Sequence, residues 1–299
     1  MLLLWDVFMI YLTYYAWSCY NTMIYHTATY APVENNIKRG CLHMKCFLDE
    51  YMNKDNFDFI LTIDCEGYNF DKNLKNNVLN LEKLLKLNSD NNIYTLLFIT
   101  PYFAEMMGKL NLIEKIKSNY KVIFGLHIHP NNLPEHIEKS CPFIKCDEDL
   151  LSYYSYDQQK LIIKQCYEYI TNLGIEPVSA FRGGYFSIDD NTEKILSEIT
   201  PIRYESHNIF RPEYKVTNNI LTSLPVYAQN ENEELRLEYF NIEKLSEMLK
   251  RGISENKKLF GITHSYLLDP NDFHYKRDNI QPNIHERMKV LIDIMSNNR

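Results

Sequence analysis

The sequence carries no surplus of positive charge: 32 Lys and Arg face 39 Asp and Glu, giving a formal net charge of -7 and a pI near 5.8. Without a basic footprint, nucleic acid is excluded as the expected partner. It also lacks paired cysteine motifs. Its seven cysteines are an odd number, and the Cys41/Cys46 and Cys141/Cys146 spacings match neither zinc knuckles nor a redox C-x-x-C, so reduced thiols in a cytoplasmic chain are the expectation. No Lys or Arg precedes Lys38, and no small-residue cleavage site follows the apolar start, which excludes an ordinary secretory signal. Residues 2–20 are nonetheless largely apolar and aromatic, broken by Asp6. A membrane span needs about 20 such residues, so association with a membrane through residues 2–20 is one expectation. A packing extension, or a start codon placed too early, is the other, and the missing flanking cations favour it. No internal repeat or flexible linker interrupts the remainder. Residues 51–299 therefore read as one domain and residues 1–50 as a hydrophobic, aromatic extension.

What the sequence does have is acid and imidazole at the ends of apolar runs. In "FDFILTIDCEGYN" (57–69), Asp64 and Glu66 fall on one face of a strand while Phe59, Leu61, Ile63 and Cys65 fall on the other. The pattern returns in "KVIFGLHIHP" (121–130), where His127 and His129 alternate with Val122, Phe124, Leu126 and Ile128. Burying two unpaired acids and two imidazoles is costly, so a shared purpose accounts for them better than four separate accidents. Two acids and two imidazoles are the composition of a metal site.

Around these runs, strand-like and helix-like periodicities alternate. Strands are expected at 59–64, 93–100, 121–128, 177–182, 202–206, 221–227 and 258–264. Helices are expected over Leu74–Leu85, Met106–Ile116, Tyr156–Leu173 with a stop at Gly174, and near 190–199, 241–251 and 284–296. Seven strands with helices between them predict an α/β fold, a distorted parallel (β/α)7-type barrel with an N-terminal extension. The connection from Pro130 to Tyr154 is too long for an ordinary loop and is expected to be functional.

Two more strand ends join the set. "AFRGGY" puts Arg182 before two glycines that permit a tight turn, and an arginine fork there can pair with a carboxylate and hold it ionised. "FGITHSY" ends its strand at His264.

In this order, "TIDCEG", "HIHP", "FRGGY" and "THSY" resemble the acidic, histidine, arginine and late-histidine motifs of the polysaccharide deacetylases, the NodB-homology fold of carbohydrate esterase family 4. The resemblance spans roughly residues 57 to 270. It implies a metal-dependent hydrolase that removes an N-acetyl group from an amino sugar in a polysaccharide or glycan precursor. Position by position, it implies that Asp64 is the catalytic base, that Glu66, His127 and His129 hold a divalent metal, that Arg182 orients Asp64, and that His264 is the acid. The mixed oxygen and nitrogen ligand set suits zinc. The sequence departs from the family in its acid pair, separated here by Cys65, and in its histidines, here two residues apart. It also lacks the arginine motif's proline and a clear tryptophan motif, with "RYESHN" (203–208) at the nearest position. Asp64 and Glu66 could thus exchange roles, and His127 could be the sole strand ligand with His129 behind it.

The long loop and the turn after Arg182 are expected to frame a sugar cleft, with Tyr153, Tyr154 and Tyr185 offering flat faces to a pyranose ring. With 23 tyrosines in the chain, packing of the loop's tyrosines against the preceding helix is the alternative. Two other functions compete. An amidohydrolase-type barrel acting on a small molecule also uses H-x-H, though on its first strand, and a catalytically inactive carbohydrate-binding barrel would need one of the five roles to be lost.

Overall fold

The computed structural model describes residues 47–53, 58–255, 257–269, 271 and 282–297. The segment 2–20 singled out above lies outside them. Among the described residues no helix is long and apolar enough to cross a membrane.

The chain runs through helix α1 (Phe47–Met52), strand β1 (Asp58–Cys65), α2 (Leu74–Asp90), β2 (Tyr94–Ile99), α3 (Pro101–Lys109), α4 (Ile113–Asn119), β3 (Val122–Ile128) and α5 (Glu135–Ser140). It continues with α6 (Tyr156–Asn172), β4 (Val178–Gly183), β5 (Ile188–Asp189), α7 (Asp190–Ile199), β6 (Tyr204–Glu205), β7 (Tyr214–Lys215) and β8 (Thr222–Ser223). The last elements are α8 (Ile242–Ser254), β9 (Lys258–His264) and α9 (Ile284–Ser296). Seven parallel strands form one curled sheet in the order β8-β6-β4-β3-β2-β1-β9, with helices outside it. After β8 the chain bends across to β9: Tyr227 donates its N–H to Phe260 O and Leu237 to Ile262 O, while Ile262 donates to Leu235 O. This irregular stretch stands where a regular strand would close the barrel, and the fold is a distorted (β/α)7 barrel.

Alternation along the strands builds two cores. Phe59, Leu61, Ile63 and Cys65 of β1 join Leu97, Ile99, Leu126 and Ile128 beneath the helices. Ile60, Leu96, Phe98, Ile123, Ala180, Tyr204 and Phe260 fill the barrel interior. Each fully buried Leu, Ile or Phe contributes roughly 1.5–3 kcal/mol, so the sheet is anchored from both sides. On the inner face the residues change from apolar to polar towards the carboxyl ends of the strands: Ile60 gives way to Thr62 and Asp64, Ala180 to Arg182, and Phe260 to His264. A ligand pocket of a parallel barrel forms at that end.

All seven expected strands are present, but β6 and β8 are only two residues long. A further two-stranded ribbon, β5 with β7, was not expected. The expected helix through 106–116 is two helices, because Asn111 adopts φ 54° and turns the chain between α3 and α4. The Pro130–Tyr154 connection holds α5 and a 3-10 turn at Leu151–Tyr153, fastened by buried Leu133, Ile137 and Leu151. Helix α6 does stop ahead of Gly174, which takes φ 93°.

Candidate active site

Parallel pairing sets the site's residues side by side. Asp64 of β1 is in register with His264 of β9, and His127 of β3 with Arg182 of β4. Glu66 lies just beyond the end of β1, its N–H donated to Ser265 Oγ at 3.0 Å, so the segment after β1 is tied to the segment after β9.

Arg182 is wholly buried under the site. Its Nη1 donates to Asp64 Oδ1 at 2.5 Å, its Nη2 to Thr62 Oγ1 and Ser206 Oγ at 3.0 and 2.7 Å, and its Nε to Ser206 O at 2.8 Å. Both hydroxyls spend their own hydrogen on backbone carbonyls, Gly261 O and Leu224 O, and so accept from the guanidinium. The guanidinium also stacks on Phe98, 4.1 Å from its ring centre. Gly125 makes room for that ring, since a Cβ there would stand 2.6 Å from it. Burial pushes the Asp64 carboxyl up, but Arg182, with His127 and His264, more than offsets it and holds Asp64 below the usual carboxylate range.

Glu66, His127 and His129 converge beside this pair. Glu66 Oε1 lies 3.5 Å from His127 Nε2, and Glu66 Oε2 lies 3.4 Å from His129 Nε2. Glu66 Oε2 and both Nε2 atoms are buried and have no hydrogen-bond partner among the described residues. The far side of each ring is engaged. His127 Nδ1 lies 2.7 Å from Arg182 O and donates to it, which leaves Nε2 as the inward-facing atom. His129 Nδ1 lies 2.8 Å from Asp149 Oδ1. Gly184 packs flat on the His129 ring, where a Cβ would come within 2.4 Å of Cε1 and Nδ1. The three inward ligand atoms lie within 4.8 Å of one another. A tetrahedral ion with bonds of about 2.0–2.2 Å holds its ligands roughly 3.3–3.6 Å apart, so these residues fit a divalent metal. In the absence of an ion, burial would lower the proton affinity of His129, but Glu66 and Asp149 more than offset it and raise its pKa to about 10. Burial likewise pushes Glu66 up, and the two imidazoles bring it well below the ordinary value.

His264 completes the floor. Its Nδ1 lies 2.7 Å from Glu238 Oε1, its Nε2 lies 3.8 Å from Asp64 Oδ2, and its ring stacks on Tyr266. The fork of Arg236 in turn binds Glu234 with Nε and Nη2 at 3.0 and 2.8 Å.

The three tyrosines separate. Tyr185, at φ 51°, is 55% exposed and meets His129 and Phe70 edge to face. Tyr153 is 64% exposed, on a turn held to the Tyr185 turn by Ser152 N–H and Oγ against Ser187 Oγ. Tyr154 does not present a face to a ligand. It is buried against the core, and its hydroxyl donates to Glu148 O and accepts the Lys145 N–H. Residue 154 follows the turn and points inward, where its ring meets Phe143 of the same loop edge to face.

Sequence reasoning missed Thr62, Ser206, Asp149 and Glu238. Asp149 lies in the long loop already marked as functional, within the acidic run "KCDEDL" (145–150), and that run was the available signal. Nothing in "ELRLEYF" (234–240) separates Glu238 from a surface acid.

No protein-family model matches the chain, and no curated protein does. Solved structures do. A protein of Mycobacterium smegmatis assigned provisionally to the polysaccharide deacetylases superposes with a TM-score of 0.54 at 12% identity, covering 82% of this chain and 85% of that one. A family 4 carbohydrate esterase from Streptomyces lividans gives 0.46 at 8% identity over 81% and 89%. The 4-alpha-glucanotransferase of Thermococcus litoralis gives 0.50 at 12% identity over 81% of this chain but only 36% of its own. At these identities the likeness is one of fold, and that fold is the one found in polysaccharide deacetylases.

Proposed function

We propose that residues 51–299 form a metal-dependent hydrolase that removes an N-acetyl group from an amino sugar in a polysaccharide or glycan precursor. One observation carries the reading: three buried, inward-facing ligand atoms, on Glu66, His127 and His129, stand beside a carboxylate locked to an arginine. Glu66, His127 and His129 are the residues that hold the ion, for which zinc is suited. When bound, a divalent ion there supplies a Lewis acid for the acyl oxygen and lowers the pKa of water.

The remaining work belongs to the chain. Asp64 keeps Oδ1 on Arg182, which leaves Oδ2 to take the proton of the attacking water. Because Arg182 holds Asp64 ionised, the base is ready across the neutral range. His264, steadied at Nδ1 by Glu238, presents Nε2 and gives its proton to the leaving amine, whose bond to the acyl carbon breaks as the carboxylate product forms. Arg182 touches four other groups, and its role is to position Asp64. Tyr185 and Tyr153, exposed on joined turns, are the proposed faces for the sugar ring.

The test is release of acetate from N-acetylated amino-sugar oligomers, polymers and nucleotides by the metal-loaded protein. Asp64→Asn should retain the ion and lose roughly 10²- to 10⁴-fold in rate, while Glu66→Gln should lose the ion. Loss of metal in Asp64→Asn with retention in Glu66→Gln would reverse the two roles, and no release from any substrate class would refute the activity.

A further inference from the structure

Two triplets of ligating side chains share Glu66. The second consists of Asp64, Glu66 and His264, all buried, with ligand atoms again within 4.8 Å of one another. Asp64 Oδ2 and His264 Nε2 are 3.8 Å apart on paired strands, close to the separation that a single tetrahedral ion imposes on its ligands. His264 is prepared as the other two imidazoles are: its Nδ1 is committed, here to Glu238, and its Nε2 faces inward. With every outer nitrogen fixed, two imidazoles turn their inner nitrogens on Glu66 and the third turns its own on Asp64, an arrangement suited to more than one cation.

We propose that Asp64, Glu66 and His264 form a second, weaker divalent-cation site, bridged to the first through Glu66 and filled only beyond one equivalent of metal. The inference rests on the assignment of the first site to Glu66, His127 and His129. The second site is the weaker because Asp64 has one oxygen left, the other being held 2.5 Å from Arg182, and because that guanidinium repels a cation. A carboxylate bridge sets two ions about 3.5–4 Å apart. An ion there occupies Asp64 Oδ2 and His264 Nε2, the two atoms that move protons in the proposed reaction, so excess metal inhibits.

Titration of the metal-free protein with Mn²⁺, followed by electron paramagnetic resonance and equilibrium dialysis, tests this. The first equivalent should give an isolated Mn²⁺ spectrum. A second, bound at least tenfold more weakly, should convert it to an exchange-coupled pair spectrum while acetate release falls in step. His264→Gln, and independently His264→Ala, should bind one ion tightly and never show the coupled spectrum. An uncoupled second ion, or a coupled pair that survives both substitutions, overturns the second site and leaves the first standing. A first ion that survives the His127→Ala/His129→Ala double substitution refutes the proposed function instead, and absence of any bound ion refutes both.

Discussion

At the scale of single residues, the site depends on partners that fix one side of a ring so that the other side is available. His129 illustrates it, with Asp149 on Nδ1 and Glu66 facing Nε2. A carboxylate behind a ligating imidazole sets its tautomer and raises its basicity, so Asp149→Ala should weaken metal binding roughly 10- to 100-fold in a chelator competition. Unchanged affinity would mean that the Gly184 backbone alone orients the ring. The same pair sets a pH dependence in the metal-free protein. Glu66, held low, contributes stability that is present above its unfolded pKa of about 4.3 and is lost as pH falls below it. His129, held up to about 10, contributes stability that is complete below its unfolded pKa of about 6.5 and is lost as pH rises towards 10. Urea unfolding of chelator-stripped protein should therefore show stability declining from pH 6.5 to pH 10, with a smaller decline in His129→Gln. Equal declines would contradict the coupling. The inner pairs were legible in the sequence because strand geometry fixes a period of two, which puts Asp64 with Glu66 and His127 with His129. Asp149 and Glu238 were not, because a partner 20 or 26 residues away is chosen by folding and leaves no local spacing.

At the scale of elements, the end of β4 and the 3-10 turn Gly184–Phe186 that follows it link most of the site. Arg182 O accepts from His127, Gly184 covers His129, and the Tyr185 ring meets His129 edge to face. Tyr185 is half exposed and contributes little to the core, so Tyr185→Ala should raise KM or lower kcat/KM for a glycan while leaving metal content and melting temperature nearly unchanged. A variant that melts early with normal kinetics per folded molecule would make Tyr185 a packing residue. The two glycines announced a tight turn in the sequence, but not that one of them lies on an imidazole. Long strands and Gly174 were readable for the same local reasons, whereas β6 and β8 pair over only two residues each of the expected 202–206 and 221–227, a length set by their neighbours in the sheet and not by their own sequence. The α3–α4 break was hidden because its hydrophobic period continues across Asn111.

At the scale of the whole molecule, the sheet brings together groups from segments as distant as Asp64 and His264, because β9, late in the chain, pairs in parallel with β1 at the edge of the sheet. The order of motifs in the sequence indicated that convergence, and the apolar-to-polar gradient of the barrel interior gives its physical form. We propose that this convergence creates a metal centre. The most direct measurement is an anomalous difference map from crystals of the protein loaded with one equivalent of zinc, recorded at the zinc edge. A metal held by this site gives one peak about 2.0–2.2 Å from His127 Nε2, His129 Nε2 and a Glu66 oxygen. A peak held by other residues, or none in zinc-loaded crystals, would contradict it.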